Sequence, residues 1–153
     1  MPTGFRTGFA ALWAGRIGGV ALLVWMGWIH LHLWSEGYRH IKTIGPMFMA
    51  NFVVAMAIAV LLLAVPSRRL VALVAASGAM FALGSLGALV LSVNIGLFGF
   101  TEAYNAPFAH LSLWVEAGAA AVLLATAAVA LLYRPAQALA PETLRKSSPT
   151  TGL

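Results

Sequence analysis

Hydrophobic residues run along this chain in four long blocks, separated by short polar clusters. Ile17 to Ser35 carries no formal charge, nor do Thr43 to Ser67 and Leu70 to Thr101. The fourth block, Ala103 to Tyr133, is interrupted once, by Glu116. A helix needs about 20 mostly apolar residues to cross the hydrocarbon core of a bilayer. Each block is long enough. Spanning helices are expected near residues 13–35, 46–65, 69–95 and 107–133.

The residues between the blocks punctuate in the right places. Gly45-Pro46 opens the second helix, with proline in the first turn, where its missing N–H costs nothing. Pro66-Ser67-Arg68-Arg69 predicts a tight polar turn, Asn105-Ala106-Pro107 opens the fourth helix and Arg134-Pro135 closes it. The expected fold is an all-α integral membrane protein, an antiparallel up-down-up-down four-helix bundle over residues 1–133. Residues 134–153, rich in Pro, Ser and Thr, are expected to form a disordered cytoplasmic tail. No small-x-small cleavage site follows the first apolar run; Trp28, His30, His32 and Trp34 do, so an uncleaved first helix is expected.

Composition narrows the class. Hydrophobic residues make up 61% of the 153 and charged residues 8%, where a soluble domain carries about a quarter charged. Mean hydropathy is +0.92. These values exclude a soluble enzyme and a disordered chain. Cysteine is absent, which excludes disulfides, thiolate metal sites and thiol catalysis. The +5 net charge does not point to nucleic acid, because the basic residues are not gathered into a patch with interleaved aromatics. Instead they sort by side. Arg6, Arg16, Arg68, Arg69, Arg134, Arg145 and Lys146 fall on one side, and only Arg39 and Lys42 on the other. Positive loops stay inside, so both termini are expected in the cytoplasm and the chain in the plasma (inner) membrane.

Helices in lipid associate where small residues let their backbones approach. Four such stripes stand out: Ala11/Gly15/Gly19, Ala55/Ala59, Gly84/Ala88/Ser92 and Ala117/Ala121/Ala125. All are expected to face neighbouring helices.

The polar residues gather toward the outer side of this topology. His30, His32, His40 and His110 fall there, with Glu36, Glu102, Tyr38, Tyr104 and Asn105. Asn51 and Asn94 each lie about 8 Å in from an outer helix end. Glu116 is the outlier, about 14 Å past Pro107 and near the middle of the core. A carboxylate there costs on the order of 3 kcal/mol unless it faces the bundle interior or is neutralised. No lysine or arginine lies at that depth, so Glu116 is expected to be protonated or bonded to a histidine, with Ser112 on its face. An ionisable group inside a membrane is a functional candidate by default, and the alternative is a neutral group bridging helices.

The segment from His30 to His40 is the densest chemistry in the chain. His32 and Glu36 are four residues apart and share a helical face. Imidazole is a common ligand of transition metals, which makes His30, His32, His110, Glu36 and His40 candidate ligands. A transmembrane b-type haem would need two histidines at one depth, and His30 with His110 is the pair that fits. The same residue types also belong at a membrane interface because they are amphipathic, and His-x-His is far less specific than a HExxH motif.

The run His30-Leu-His32-Leu-Trp34 with Gly37-Tyr38-Arg39, then Ile44-Gly45-Pro46 and Gly96-Leu-Phe-Gly99-Phe with Glu102, resembles a group of small four-span bacterial membrane proteins. In size and span count the chain is also similar to DoxX-like membrane proteins. The resemblance implies a fold over residues 13–133 and no activity. No nucleophile–base set and no phosphate-binding glycine loop is present, so self-contained enzymatic chemistry is not expected. Three roles follow from the residues: binding or transport of an ion, metal or proton through the His/Glu cluster; a structural or accessory subunit docking a membrane partner or a second copy; and a haem or quinone redox subunit.

Overall fold

A computed structural model describes residues 3–132, with side chains from residue 8 onward. Four helices account for most of it: α1 (Thr3–Glu36), α2 (Ile44–Ala64), α3 (Arg68–Asn94) and α4 (Ala109–Leu132). All four are long and apolar enough to cross a membrane, and no strand occurs among the described residues. The chain is an all-helical protein with the makings of an integral membrane protein. The tail from residue 134 lies outside the described residues.

The helix ends follow local chemistry. Ser67 caps α3, its hydroxyl accepting from the Leu70 amide at 3.3 Å. Pro46 sits in the first turn of α2. α1 begins at Thr3, well before residue 13, because charge ends a membrane span without ending a helix, and nothing between Thr3 and Trp13 breaks one. α4 starts two residues later than expected. Phe108 takes a left-handed φ of 66°, and its carbonyl accepts the first helical bond, from the Ser112 amide at 2.7 Å.

The connections 37–43 and 95–108 share one end of the bundle, here the loop end, and are joined by a hydrogen bond between Tyr38 and Glu102. The 65–67 turn lies at the other end. Within the loop-end segment, Leu97 and Phe100 exchange two backbone bonds around Phe98 and Gly99, whose φ values of 52° and 78° make a type I′ turn. Gly45 is required by space: a Cβ there would lie 2.8 Å from the carbonyl oxygens of Tyr38 and Arg39.

Close packing is built on α4 with α3, α1 with α2, and α1 with α4, whereas α2 and α3 meet only sparsely. Gly15 and Gly19 lie against α4, where a Cβ at 19 would come within 2.7 Å of Leu123. Ala55 and Ala59 are buried as well. Two other small-residue stripes do not pack as expected. Ala117, Ala121 and Ala125 are exposed, and α4 buries Ser112, Glu116, Ala119, Ala120, Leu123 and Ala127 instead. On α3 the packed face is Ala72, Ala75, Ala79 and Ala82, while Gly84 and Ala88 border a cavity. An alanine-rich helix offers several such stripes, and the one holding the intramembrane polar group turns inward. Trp25, Trp28 and Trp114 point outward, as lipid-facing aromatics do.

Arg16 behaves differently from a flanking charge. It is 5% exposed inside α1, and its guanidinium donates to the carbonyls of Leu63 and Val65 at 2.7 and 3.0 Å while lying over the Trp13 ring. It satisfies carbonyls at the C-terminus of α2 that the helix leaves without partners, where a cation is also favoured by the helix dipole.

Candidate functional site

Beyond the point where α2 and α3 touch, the two helices border a cavity of about 400 Å³ at the loop end. Ile58 against Gly78 and the Asn51–Ser85 bond mark where the helices still meet. The walls are apolar, with Leu33, Ile44, Phe48, Phe81, Leu89 and Phe100 among them. His30, Asn51, Ser85, Ser92, Ser112 and Glu116 supply polar lining, and Glu102 adds a second carboxylate.

Four of these side chains, one from each helix, form a chain. Asn51 Nδ2 of α2 donates to Ser85 Oγ of α3 at 2.8 Å. Ser85 Oγ donates to Glu116 Oε1 of α4 at 2.8 Å. His30 Nε2 of α1 lies 3.8 Å from the same carboxylate oxygen. The other ring nitrogen, Nδ1, is 2.9 Å from the Met26 carbonyl, which can only accept, so Nδ1 carries a proton and Nε2 faces the glutamate. With the Ser85 proton directed to Glu116, the Asn51 amide nitrogen faces Ser85 Oγ.

Glu116 is 1% exposed, and its Oε2 is buried with no hydrogen-bond partner. Asn51 Oδ1 and Ser92 Oγ are buried and unpartnered too. Such groups cost roughly 1–3 kcal/mol each when left unmade, and all three belong to side chains that line the cavity. α4 begins at Ala109, which puts Glu116 about 10 Å into its helix. Asn51 is equally far into α2.

At the loop end, Tyr38 donates to Glu102 Oε2 at 2.7 Å, while the Ala103 amide donates to Oε1 at 3.1 Å. The Glu102 amide itself donates to the Ser92 carbonyl at 3.2 Å, which ties the 95–108 connection to the end of α3. Tyr38 stacks on Phe48 and meets Phe100 edge-on, so aromatic packing holds this latch beside the cavity. Burial, together with the adjacent Glu102 carboxylate, pushes the Tyr38 phenol above its ordinary value.

The candidate ligands from the sequence scatter. His30 alone reaches the cavity chain. His32 stacks on Trp28 at 5.1 Å and against Phe108. His110 is exposed and meets the Tyr104 ring at 4.4 Å, bordering a separate, shallower depression. His40 is exposed and accepts from Arg39 Nε at 3.0 Å, and Glu36 is exposed. Among the described residues, no three His, Asp or Glu side chains come together as a metal site. His30 finds Glu116 rather than His110. Asn94 is exposed and donates back to the Val90 carbonyl at 2.7 Å, so it takes no part in the chain.

Ser85 was not singled out from the sequence, although it is the hinge of the network. Its signal was depth. Asn51, Ser85, Glu116 and His30 all lie roughly two turns in from the loop-end termini of their helices.

No protein-family model, curated protein or solved structure matches the chain.

Proposed function

We propose that the chain is an integral plasma-membrane protein, an antiparallel bundle with both termini in the cytoplasm, that binds a cation or proton at His30 and Glu116 from the outer side. The observation that carries this reading is the free oxygen of Glu116, buried on a cavity with no cationic side chain in its lining. A buried acceptor of that kind is matched by a positive or donating ligand. Arg16 supports the orientation: it caps α2 beside the Pro66 turn, on the same side as Arg68 and Arg69. Cysteines introduced at Ser35 and Thr101 should label from outside, and one at Ser67 only from within; the chain has no native cysteine to interfere.

A second reading rests on one specific observation, the polar chain that links all four helices through single side chains. On that reading Glu116 only bridges helices, in an accessory subunit without chemistry of its own. Unfolding temperature separates the two, because a ligand that binds only the folded state raises it. Purified protein in nanodiscs is heated with sodium, potassium, zinc and organic ammonium salts, alongside a Glu116→Gln variant. Binding requires that at least one cation stabilise the wild-type protein and not the variant. Equal responses to every cation would leave the bridging role.

A further inference from the structure

We infer that the cation taken by this cavity is a lipophilic amine without a phosphate group, entering sideways between α2 and α3. This deepens the reading of Glu116 as a binding group and rests on it.

Shape comes first. A volume of about 400 Å³ is within the range of small-molecule pockets, roughly 300–1,000 Å³, and far exceeds what a bare ion needs. Its walls are aliphatic and aromatic, with Phe48 and Phe81 among the lining side chains, and aromatic rings attract organic cations. A hydrated metal ion gains nothing from such walls, and among the described residues no third His or Glu stands near His30 and Glu116 to complete its coordination.

The polar floor sets the head group. Glu116 Oε2 and Asn51 Oδ1 are buried acceptors without partners, on two side chains that both bond Ser85 Oγ. An ammonium carries three donors and no acceptor, which matches this pair. Charge points the same way. Glu102 and Glu116 both border the cavity, and among the described residues no lysine or arginine does. A phosphate beside the amine, as in a phosphoethanolamine head group, would meet carboxylates and no cation.

The route is marked by Gly84. It sits in the interior of α3, where glycine is unfavourable, yet a Cβ built on it meets nothing within 4 Å. Helix packing does not require this glycine. It borders the cavity where α2 and α3 have parted, and its missing side chain leaves that wall open.

The test uses three probes with one tail: 4-phenylbutylamine, 4-phenylbutan-1-ol and 4-phenylbutanoate, titrated onto the full chain in phosphatidylcholine nanodiscs by calorimetry. The amine should bind at least about tenfold tighter than the alcohol, and the carboxylate not at all. Glu116→Gln should bring the amine down to the affinity of the alcohol. Gly84→Leu, which keeps Glu116 and fills the opening, should abolish amine binding with an unfolding temperature no lower than that of wild type. If amine and alcohol bind alike, the amine assignment falls. If zinc or sodium binds in a Glu116-dependent way and the amine does not, the amine assignment falls and the cation reading stands. Amine binding that survives Gly84→Leu would overturn the lateral route. Phosphatidylethanolamine added to the nanodiscs should not compete; competition would overturn the phosphate-free assignment. If no probe or metal binds to either protein, both readings fail together.

Discussion

The two ends of this bundle are built by opposite rules. At the turn end, backbones close on one another through Gly15, Gly19 and the alanine face of α3, and the buried Arg16 guanidinium donates to two carbonyls. At the loop end, α2 and α3 part, small residues border empty space, and buried oxygens lack partners. In lipid there is no hydrophobic gain from closing helices on one another, so contact depends on fit and hydrogen bonding. One end spends its small residues on fit; the other leaves them facing a cavity. On the reading proposed above, the loop end is the working part and the turn end its support.

Arg16 gives the largest expected effect. Arg16→Leu strips charge-assisted bonds from two carbonyls at the C-terminal end of α2 and should destabilise the protein by about 3 kcal/mol. Arg16→Lys, a point charge on a thinner stem, should recover part of that. Chemical denaturation in detergent, followed by circular dichroism, measures both. An Arg16→Leu protein as stable as wild type would mean that the turn end is not the support described here.

The glycines offer the next contrast. Gly15→Leu drives a side chain into Thr126 and should cost about 2 kcal/mol by overpacking. Gly84→Ala adds a methyl where nothing is within 4 Å and should stabilise by roughly 0.5–1 kcal/mol, through helix propensity alone. The two substitutions therefore have opposite signs. A loss at Gly84 equal to that at Gly15 would show that the cavity closes in the membrane.

Much of the fold was legible from the chain, because charge and proline are costly in a spanning helix and so mark its limits. The helices fall within a few residues of expectation except at the start of α1, where the helix runs on past the length a span needs. Which small residues pack was not legible. Ala117, Ala121 and Ala125 satisfy the same spacing as the buried stripe of α4, and spacing alone does not give a helix its rotation. Glu116 does, since a carboxylate turns inward, and Ser112 comes with it. The histidines illustrate the limit on the site. Four fall toward one side in sequence, but rotation and loop conformation send three of them to separate neighbours and leave His30 at the cavity. Ser85 escaped because serine is an ordinary residue in such helices, and only its depth beside Glu116 distinguishes it.

The smallest effect concerns the latch at the loop end. Tyr38 and Glu102 join two connections that have no other side-chain hydrogen bond between them among those resolved in the described residues. Tyr38→Phe keeps the stacking on Phe48 and loses only the bond, so the expected cost is about 0.5 kcal/mol, at the low end for a partly exposed pair. Its pH dependence is more telling than its size. The folded protein holds the Tyr38 proton more tightly than the unfolded chain, whose phenol titrates near its ordinary 10.0. The bond therefore contributes fully below that value and is lost as pH climbs from there through the higher folded value. Near-ultraviolet phenolate absorbance of the wild type minus that of Tyr38→Phe isolates this residue from Tyr104 and Tyr133. At pH 10.0 the difference should be close to zero, and the stability gap between the two proteins should close only above it. A Tyr38 phenol half ionised at that pH would mean that the latch is open in the membrane, and the loop end would then be wider than the cavity described here.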